Sequence, residues 1–265
     1  MNKLLLPFLL LAINIPALAQ HDLPKDKDRP PNMEELFSVK ETFRYEVKYG
    51  FFKLGHVNVR LLSDTLYQDQ MRKHILTEIV SNPKIPFVGD ELDRYHSFFY
   101  VNKDGLPVES YFWKDNIDEE EYKEIQYWFD RDLGKVYYKE EDNTRDTLDL
   151  IEPATSGHVI FYFSRLFAGS EEDYTLPVYV TKEQGFIYGD NSMEKEERNY
   201  APWDEPIMAY KMNGSTEKIE GPFGFSGKFR AWFLDDDLRV PLEARVKVLW
   251  GNVIVRMIEY KREEL

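Results

Sequence analysis

The segment ETFRYEVKYGFFKLGHVNVRLL, residues 41–62, decides the fold class. Apolar side chains alternate with charged ones through residues 43–49, and the alternation resumes through residues 57–61. A period of two places successive side chains on opposite faces, so each run is typical of a half-buried β-strand. Gly50 and Gly55 lie between the two runs and indicate a turn. The segment therefore predicts an antiparallel β-hairpin.

Strand-like patterns recur along the rest of the chain. Aromatic residues, which favour strands, make up 15% of the sequence. The segment 190–204 is highly charged and contains Pro202, so it is interpreted as a long loop or an edge strand. The further predicted strands are 74–80, 95–101, 108–113, 122–129, 135–138, 174–181, 207–212, 228–234, 242–249 and 253–260.

One segment, residues 156–167, breaks this pattern and predicts a helix. Thr155 or Ser156 can cap its first turn, and Gly169 ends it. A helix with one apolar face in a β protein is expected to pack against the concave side of the sheet. The predicted fold is therefore mainly β, with a strongly curved antiparallel sheet, a half-barrel or open barrel, wrapped around one central α-helix. The apolar face consists of Val159, Ile160, Phe163, Leu166 and Phe167.

The first nineteen residues have the pattern of a secretory signal peptide. Lys3 supplies a positive charge, residues 4–15 are largely apolar, and Ala17-Leu18-Ala19 is an A-x-A cleavage site. The apolar run is shorter than the roughly 20 residues of a membrane span, which disfavours the alternative of an uncleaved anchor. The predicted organisation is a signal peptide at 1–19, a polar disordered leader at 20–37 and a single β-rich domain at 38–265.

Composition excludes several classes of protein. The formal net charge is −14, and it becomes −15 once Lys3 is removed with the signal peptide. Such a charge argues against a nucleic-acid binder, which needs a basic face, and against broad adhesion to anionic lipid. The sequence has no cysteine, so neither a disulfide nor a lipid on cysteine is available. No later stretch is apolar and long enough to span a membrane.

Four segments resemble the bacterial domain-of-unknown-function family 3108. They are the opening strand 43–50, the following run 53–57, the mid-chain helix 156–166 and the late run WFLDDDLRVPL at 232–242. The resemblance implies an exported protein whose bent antiparallel sheet is similar to the half-barrel of periplasmic lipoprotein carriers. Two features depart from the family pattern: the helix is more aromatic, and the acidic stretch 194–198 has no counterpart.

The aromatic residues of the predicted helix are the candidate ligand site. Phe161, Tyr162, Phe163 and Phe167, together with Trp232, are expected to line an apolar cavity beneath the sheet. The alternative is that these rings simply fill the core.

The late run carries a second motif, in which three aspartates precede an Arg-x-Pro. Carboxylates suit a divalent cation, but the spacing does not match a calcium loop. The favoured interpretation is a turn, in which Asp235 and Asp236 precede a corner that Arg239 fixes by ion pairing and Pro241 begins the next strand. The histidines are scattered along the chain, so no metal, cofactor or catalytic residue is predicted.

Three functions are consistent with these features. The first is a non-catalytic periplasmic binding or carrier protein for an apolar ligand, such as a lipid or a lipoprotein anchor. The second is a structural or assembly protein of the cell envelope that binds a protein partner through a sheet edge or through residues 190–204. The third, a hydrolase of envelope polymers, ranks last because no nucleophile, metal set or cofactor loop is visible in the sequence.

Overall fold

The computed structural model describes residues 29–85, 92–116, 123–219 and 227–264. These residues form one antiparallel sheet of fifteen strands with very little helix, which confirms the mainly β prediction. Among them, no helix has the length and apolarity that crossing a bilayer would demand. The first half of the chain contains helix α1 (Met33–Phe37) and strands β1 (Val39–Tyr49), β2 (Phe52–Tyr67), β3 (Gln70–Ser81), β4 (Leu92–Val101), β5 (Pro107–Asp115), β6 (Lys123–Asp130), β7 (Lys135–Lys139) and β8 (Arg145–Asp149).

The second half contains one further helical segment and seven strands. Helix α2 (Ile160–Phe163) continues into a 3-10 turn at Ser164–Leu166. The predicted strands of this half are present, and the charged segment 190–204 contributes a short strand, as the edge-strand interpretation expected. The strands are β9 (Tyr174–Val180), β10 (Glu183–Asp190), β11 (Lys195–Arg198), β12 (Ile207–Glu217), β13 (Lys228–Leu234), β14 (Pro241–Val248) and β15 (Gly251–Glu264).

The two ends of the chain meet in the middle of the sheet. The strand order is β8-β7-β6-β5-β4-β3-β2-β1-β15-β14-β13-β12-β10-β9, and β11 pairs with the other end of β12. β1 lies between β2 and β15, with Tyr45 opposite both Val57 and Met257. This long ladder joins two meanders of hairpins into one continuous sheet.

The sheet curves until its two ends come into contact without closing. The segment after β8 crosses to β9, where Thr155 forms an isolated bridge with Val178. The Tyr179 hydroxyl donates a hydrogen bond of 2.7 Å to the carbonyl of Asp149. The edge strands β8 and β9 do not pair with each other, so the barrel stays open.

The predicted helix at 156–167 is wrong in its extent and its cap. Regular helix is confined to Ile160–Leu166, and the N-cap residue Val159 makes no side-chain capping bond. Gly157 has a φ of +106°, which is incompatible with a right-handed helix at this position. Thr155 and Ser156, the predicted caps, instead donate hydrogen bonds to Glu109 on β5. In place of the predicted central helix wrapped by the sheet, the structure has a helical segment of two turns that packs against the sheet.

The predicted disordered leader is ordered at its C-terminal end. Asn32 caps α1 through a capping box with Glu35, which accepts a hydrogen bond from the Asn32 backbone. Met33 and Leu36 are buried in the main core cluster. Their burial, which the polar composition of the segment obscured, explains why this part folds. The predicted signal peptide and residues 20–28 lie outside the described residues.

Candidate ligand-binding cavity

An apolar cavity of about 230 Å³ lies between the α2 segment and the sheet. The residues on the sheet side belong to β1, β2, β9 and the run from β12 to β15. Its lining comprises Tyr45, Val57, Val59, Ile160, Phe161, Ser164, Tyr174, Met212, Phe229, Ala231, Trp232, Phe233, Pro241, Glu243, Ala244 and Val255.

Small side chains in one row of the sheet leave this space open. Ala231 on β13 pairs directly with Ala244 on β14, and they continue the row between Met212 on β12 and Val255 on β15. Side chains directly opposite one another lie on the same face of the sheet. Two adjacent alanines therefore remove bulk from the face that meets Phe161.

The hydroxyl groups around the cavity are already satisfied by protein atoms. Tyr45 donates a hydrogen bond of 2.8 Å to the Pro241 carbonyl, and Ser164 donates one of 2.7 Å to the Ile160 carbonyl. The Tyr174 hydroxyl lies 3.7 Å from the Met212 sulfur. Burial raises the pKa of Tyr45 well above its ordinary value, so this hydroxyl stays neutral. A guest in the cavity would therefore meet apolar surface rather than polar groups that need a partner.

The structure separates the aromatic residues of the predicted site. Phe161 lines the cavity and packs edge-on against Phe43, with ring centroids 4.6 Å apart. Tyr162 is buried in the main core cluster, where its ring lies 5.6 Å from that of Phe99. Phe163 is buried in a second cluster, in which Phe167 packs 5.3 Å from it. The cavity interpretation thus fits Phe161, while the core-filling alternative fits the other three residues of this segment.

Trp232 borders the cavity, but its indole lies on the other side of β13. Side chains alternate along a strand, so Trp232 points away from the face that carries Ala231 and Phe233. Its indole N–H donates a hydrogen bond of 3.0 Å to Glu196, and the Arg198 guanidinium stacks 4.2 Å from the ring centroid. Both partners belong to β11, so this short strand covers the indole.

A buried carboxylate, Glu243, lies beside Trp232, and no sequence pattern predicted it. The Glu243 side chain is fully buried and forms ion pairs with Arg198 at 3.1 Å, with Arg256 at 3.3 Å and with Arg245. A buried charge requires such pairing, because removing an unpaired ion from water is costly. In the sequence, the only sign of this ion pair is that Glu243 and Arg245 lie two residues apart, and such spacing is also typical of a solvated strand face.

A buried ion pair holds the α2 segment against the sheet. Arg165 donates to both carboxylate oxygens of Glu41 on β1, at 2.8 and 3.2 Å. Its Nε donates to the Leu238 carbonyl at 2.8 Å, and Tyr260 on β15 donates to Glu41 at 2.8 Å. Burial lowers the pKa of Arg165, but the Glu41 carboxylate outweighs burial and raises the pKa above its ordinary value. The cavity wall is therefore anchored by charge as well as by packing.

The three aspartates form a turn in which each carboxylate has a different partner. Asp235 pairs with Lys195 at 2.5 Å, and Asp237 pairs with Arg262 at 2.8 Å. The Asp236 carboxylate accepts backbone N–H groups of the turn, and burial raises its pKa to about 7. Partners this widely dispersed do not converge on one cation.

Arg239 lies at the corner of this turn, with a φ of +50°. Its guanidinium donates to the backbone carbonyls of Asp236 and Ala168 and lies 3.8 Å from the Asp235 carboxylate. The predicted ion pair is therefore accompanied by bonds to backbone. Pro241 begins β14 and borders the cavity.

Two histidines that are far apart in sequence come together on the sheet. The Nε2 atom of His74 lies 2.8 Å from Nδ1 of His96, whose Nε2 lies 2.9 Å from Asp115. Burial lowers the pKa of His74 to about 4, and the neighbouring His96 adds to this effect. No group of three metal-ligating side chains occurs within the ranges that the structure describes.

The architecture is similar to that of solved structures of unknown function. No protein-family model and no curated protein matches the chain. A β-barrel-like protein of domain-of-unknown-function family 1849 from Brucella abortus superposes with a TM-score of 0.51 at 10% identity, covering 84% of this chain and 97% of that chain. This likeness shows a shared β-barrel-like fold, and membership of family 3108 is not confirmed.

Two further solved structures match over most of their length at lower TM-scores. A candidate lipoprotein from Parabacteroides distasonis gives a TM-score of 0.39 at 8% identity, over 89% of this chain and 100% of that chain. A candidate exported protein with a YmcC-like fold from Bacteroides fragilis gives 0.34 at 8% identity, over 88% and 98%.

Proposed function

We propose that the protein is an exported, non-catalytic binding or carrier protein for an apolar ligand, such as the acyl chain of a lipid or a lipoprotein anchor. The supporting observation is the 230 Å³ cavity, whose surrounding hydroxyl groups are already hydrogen-bonded within the protein. An apolar guest gains free energy in such a space, at about 0.8 kcal/mol per buried CH₂. A polar guest would lose its hydrogen bonds to water without replacement.

The cavity volume limits what the ligand can be. A cavity of about 150 Å³ admits a single benzene ring, and pockets for drug-sized molecules span about 300–1,000 Å³. The 230 Å³ cavity lies between these values, which favours a short acyl segment or the end of a longer chain. The proposal assigns this activity to the periplasm, which the signal-peptide pattern of residues 1–19 and the resemblance to family 3108 support.

Displacement of a fluorescent apolar probe tests the proposal. We expect phenylnaphthylamine to bind the purified protein and fatty acids to displace it. Ala231→Leu and Ala244→Leu fill the cavity and are expected to weaken probe binding at least about tenfold, which corresponds to about 1.4 kcal/mol. The same substitution at the exposed Ala201 is the matched control and should leave binding unchanged.

The outcome that contradicts a carrier function is equally clear. Native mass spectrometry of gently purified protein is expected to show a co-purifying lipid. If the wild type binds no apolar probe and carries no lipid, the proposal fails. If Ala201→Leu weakens binding as much as Ala231→Leu does, the probe binds outside the cavity and the proposal also fails.

The envelope-assembly alternative has less support from the described residues. The edge strand β8 is exposed and charged, with Arg145, Asp146 and Asp149 along it, and charges on an edge oppose strand addition. The segment 190–204 covers Trp232 through β11 rather than standing free.

The hydrolase alternative would need accessible carboxyl groups in a cleft. The carboxyls of Glu109 and Asp236, whose pKa values burial raises to about 7, are instead enclosed by bonds from Thr155, Ser156 and backbone N–H groups. These bonds occupy the oxygens that an acid or base would need.

A further inference from the structure

Two neighbouring hairpin turns expose large apolar side chains at one end of the sheet. Phe51 in the β1–β2 turn is 89% exposed, and Leu249 and Trp250 in the β14–β15 turn are 72% and 77% exposed. The turns are adjacent because Tyr49 pairs with Val253, and the Tyr49 hydroxyl lies 2.5 Å from the Trp250 carbonyl. We call these residues, together with the exposed Phe52, the apolar tip.

The core does not require these side chains. Leu54 and Val248, which flank the turns, are buried, whereas Phe51, Leu249 and Trp250 lie in solvent. Two-residue hairpin turns normally carry glycine, asparagine or aspartate, because these residues tolerate turn geometry and water. The large apolar side chains of Phe51 and Trp250 instead extend away from the core into solvent. Exposed apolar surface of this kind is typical of an interaction site.

The charge around the apolar tip identifies its partner. Lys48 and Lys53 flank one turn, Lys247 flanks the other, and Lys84 lies in the neighbouring segment, where Asn82 donates to the Lys53 carbonyl. The described turn segments 47–55, 81–85 and 247–253 contain no aspartate or glutamate, although the chain as a whole has a net charge of −14. Glu46 on β1 pairs with both Lys48 and Lys53.

We propose that the apolar tip inserts into the interface of an anionic lipid bilayer. Tryptophan and phenylalanine favour the boundary between headgroups and acyl chains, and surrounding lysines reach anionic headgroups from there. An interfacial anchor of this kind penetrates about 5–10 Å. The high negative charge elsewhere on the chain opposes broad adhesion, so contact is confined to this end of the sheet. This docking is independent of whether the cavity holds a ligand.

Flotation with lipid vesicles tests the proposal on the exported protein. We expect the wild type to bind vesicles of phosphatidylglycerol and phosphatidylcholine and to bind phosphatidylcholine alone much more weakly. Phe51→Ser with Trp250→Ser should lower the partition coefficient about a hundredfold, because two large apolar side chains no longer leave water. Lys84→Glu with Lys247→Glu should lower it at least about tenfold on the anionic vesicles.

The opposite end of β2 provides the matched control. Leu66 and Met71 face each other beside the β2–β3 turn, and Leu66 is 65% exposed. Leu66→Ser with Met71→Ser removes a similar apolar area about 50 Å away along the strand and should leave vesicle binding unchanged. All variants share the same N-terminal segment, so its contribution to vesicle binding cancels in the comparison. Circular dichroism and melting temperatures check that each variant is folded.

Fluorescence and self-association complete the test. Trp250→Phe should still bind vesicles but lose the blue shift of tryptophan emission that the wild type shows. Equal vesicle binding by the wild type and by Phe51→Ser with Trp250→Ser overturns the proposal, as does a wild type that binds no vesicle. If the tip variant converts a dimer to a monomer in sedimentation and the wild type binds no lipid, the tip is a self-association surface. Ala231→Leu, which fills the cavity, should bind vesicles as the wild type does. Failure of the cavity proposal can therefore be distinguished from failure of the membrane proposal.

Discussion

Arg165 and Glu41, 124 residues apart in the chain, form a fully buried bidentate ion pair at 2.8 and 3.2 Å. Glu41 lies at the start of β1, and Arg165 lies in the 3-10 turn after α2. The pair thus joins the cavity wall to the ladder in which the two ends of the chain meet. Arg165 Nε donates to the Leu238 carbonyl, so the guanidinium also fixes the turn before β14.

Removing one partner of this pair should destabilise the fold severely. Arg165→Met leaves the Glu41 carboxylate buried without a counter-ion, and we expect the free energy of unfolding to fall by about 3–5 kcal/mol in urea titrations. The double variant with Glu41→Leu should recover a large part of that loss, because a buried apolar pair needs no solvation. A loss below about 1 kcal/mol for Arg165→Met, or a double variant worse than the single one, contradicts a mutually dependent pair.

The two phenylalanines of the α2 segment should respond differently to truncation. Phe161→Ala enlarges the cavity, so we expect binding of a bulkier apolar probe to strengthen while unfolding becomes easier by about 2–4 kcal/mol. Phe163→Ala removes a ring that is not part of the cavity lining, although its cluster shares Tyr174 and Met212 with that lining, and should cost about 3–5 kcal/mol without strengthening probe binding. Probe displacement and urea unfolding measure both effects. Identical probe affinities in the two variants would contradict a ligand site at Phe161.

Burial of His158 should make stability depend on pH. Its ring packs against those of Tyr95 and Phe112, and burial lowers its pKa to about 4. Between pH 4 and the ordinary pKa of about 6.5 the unfolded chain binds the extra proton, so this residue makes the fold more stable as pH rises. As pH rises through this window, the residue adds about 3 kcal/mol to the free energy of unfolding, and the same amount is lost as pH falls back to 4.

The comparison of variants isolates this effect from opposing groups. The buried carboxyls of Glu109 and Asp236 have pKa values raised to about 7, so in the folded state they hold protons that the unfolded chain releases, and they lower stability as pH rises. His158→Phe should therefore give a smaller rise, or a fall, between pH 4 and 6.5 in unfolding titrations. Phe129→Leu removes a buried ring that packs against Tyr179 instead of His158, and it should keep the wild-type slope. Parallel profiles for wild type and His158→Phe refute the assignment.

The strands could be predicted from the sequence because their signal is local. Alternation through residues 43–49 fixed a strand and its buried face, and the structure pairs Tyr45 in this run with Val57 in the next. The helix predicted at 156–167 is longer than the observed one. Apolar residues at helical spacing also occur in irregular segments, in which each side chain packs separately against the core. Gly157 and the bonds from Thr155 and Ser156 to Glu109 replace the first turn of the predicted helix.

The cavity itself depended on pairings that no local pattern reveals. Ala231 and Ala244 leave space only because the β13–β14 register places them opposite each other. The same register turns Trp232 to the other face, where Arg198 and Glu196 hold it. Glu41, the partner of Arg165, lies 124 residues away along the chain. The sequence alone cannot select it from the many other acidic residues. The sequence predicts five aromatic residues around an apolar cavity, and of these Phe161 and Trp232 are among the residues that line the cavity, whereas Tyr162, Phe163 and Phe167 are not.

Two glycines of the β1–β2 hairpin should differ sharply when replaced by alanine. A Cβ at Gly55 would lie 2.1 Å from the Val80 carbonyl oxygen, because β2 and β3 approach closely where Gly55 pairs with Ser81. Backbone on both sides prevents an easy shift, so we expect Gly55→Ala to lower the free energy of unfolding by about 3 kcal/mol or more. Gly50 has a φ of +57° with open space around it, so Gly50→Ala should cost only about 1 kcal/mol of backbone strain. Urea unfolding of both variants tests the contrast, and equal losses would mean that the strands separate locally to admit the methyl group.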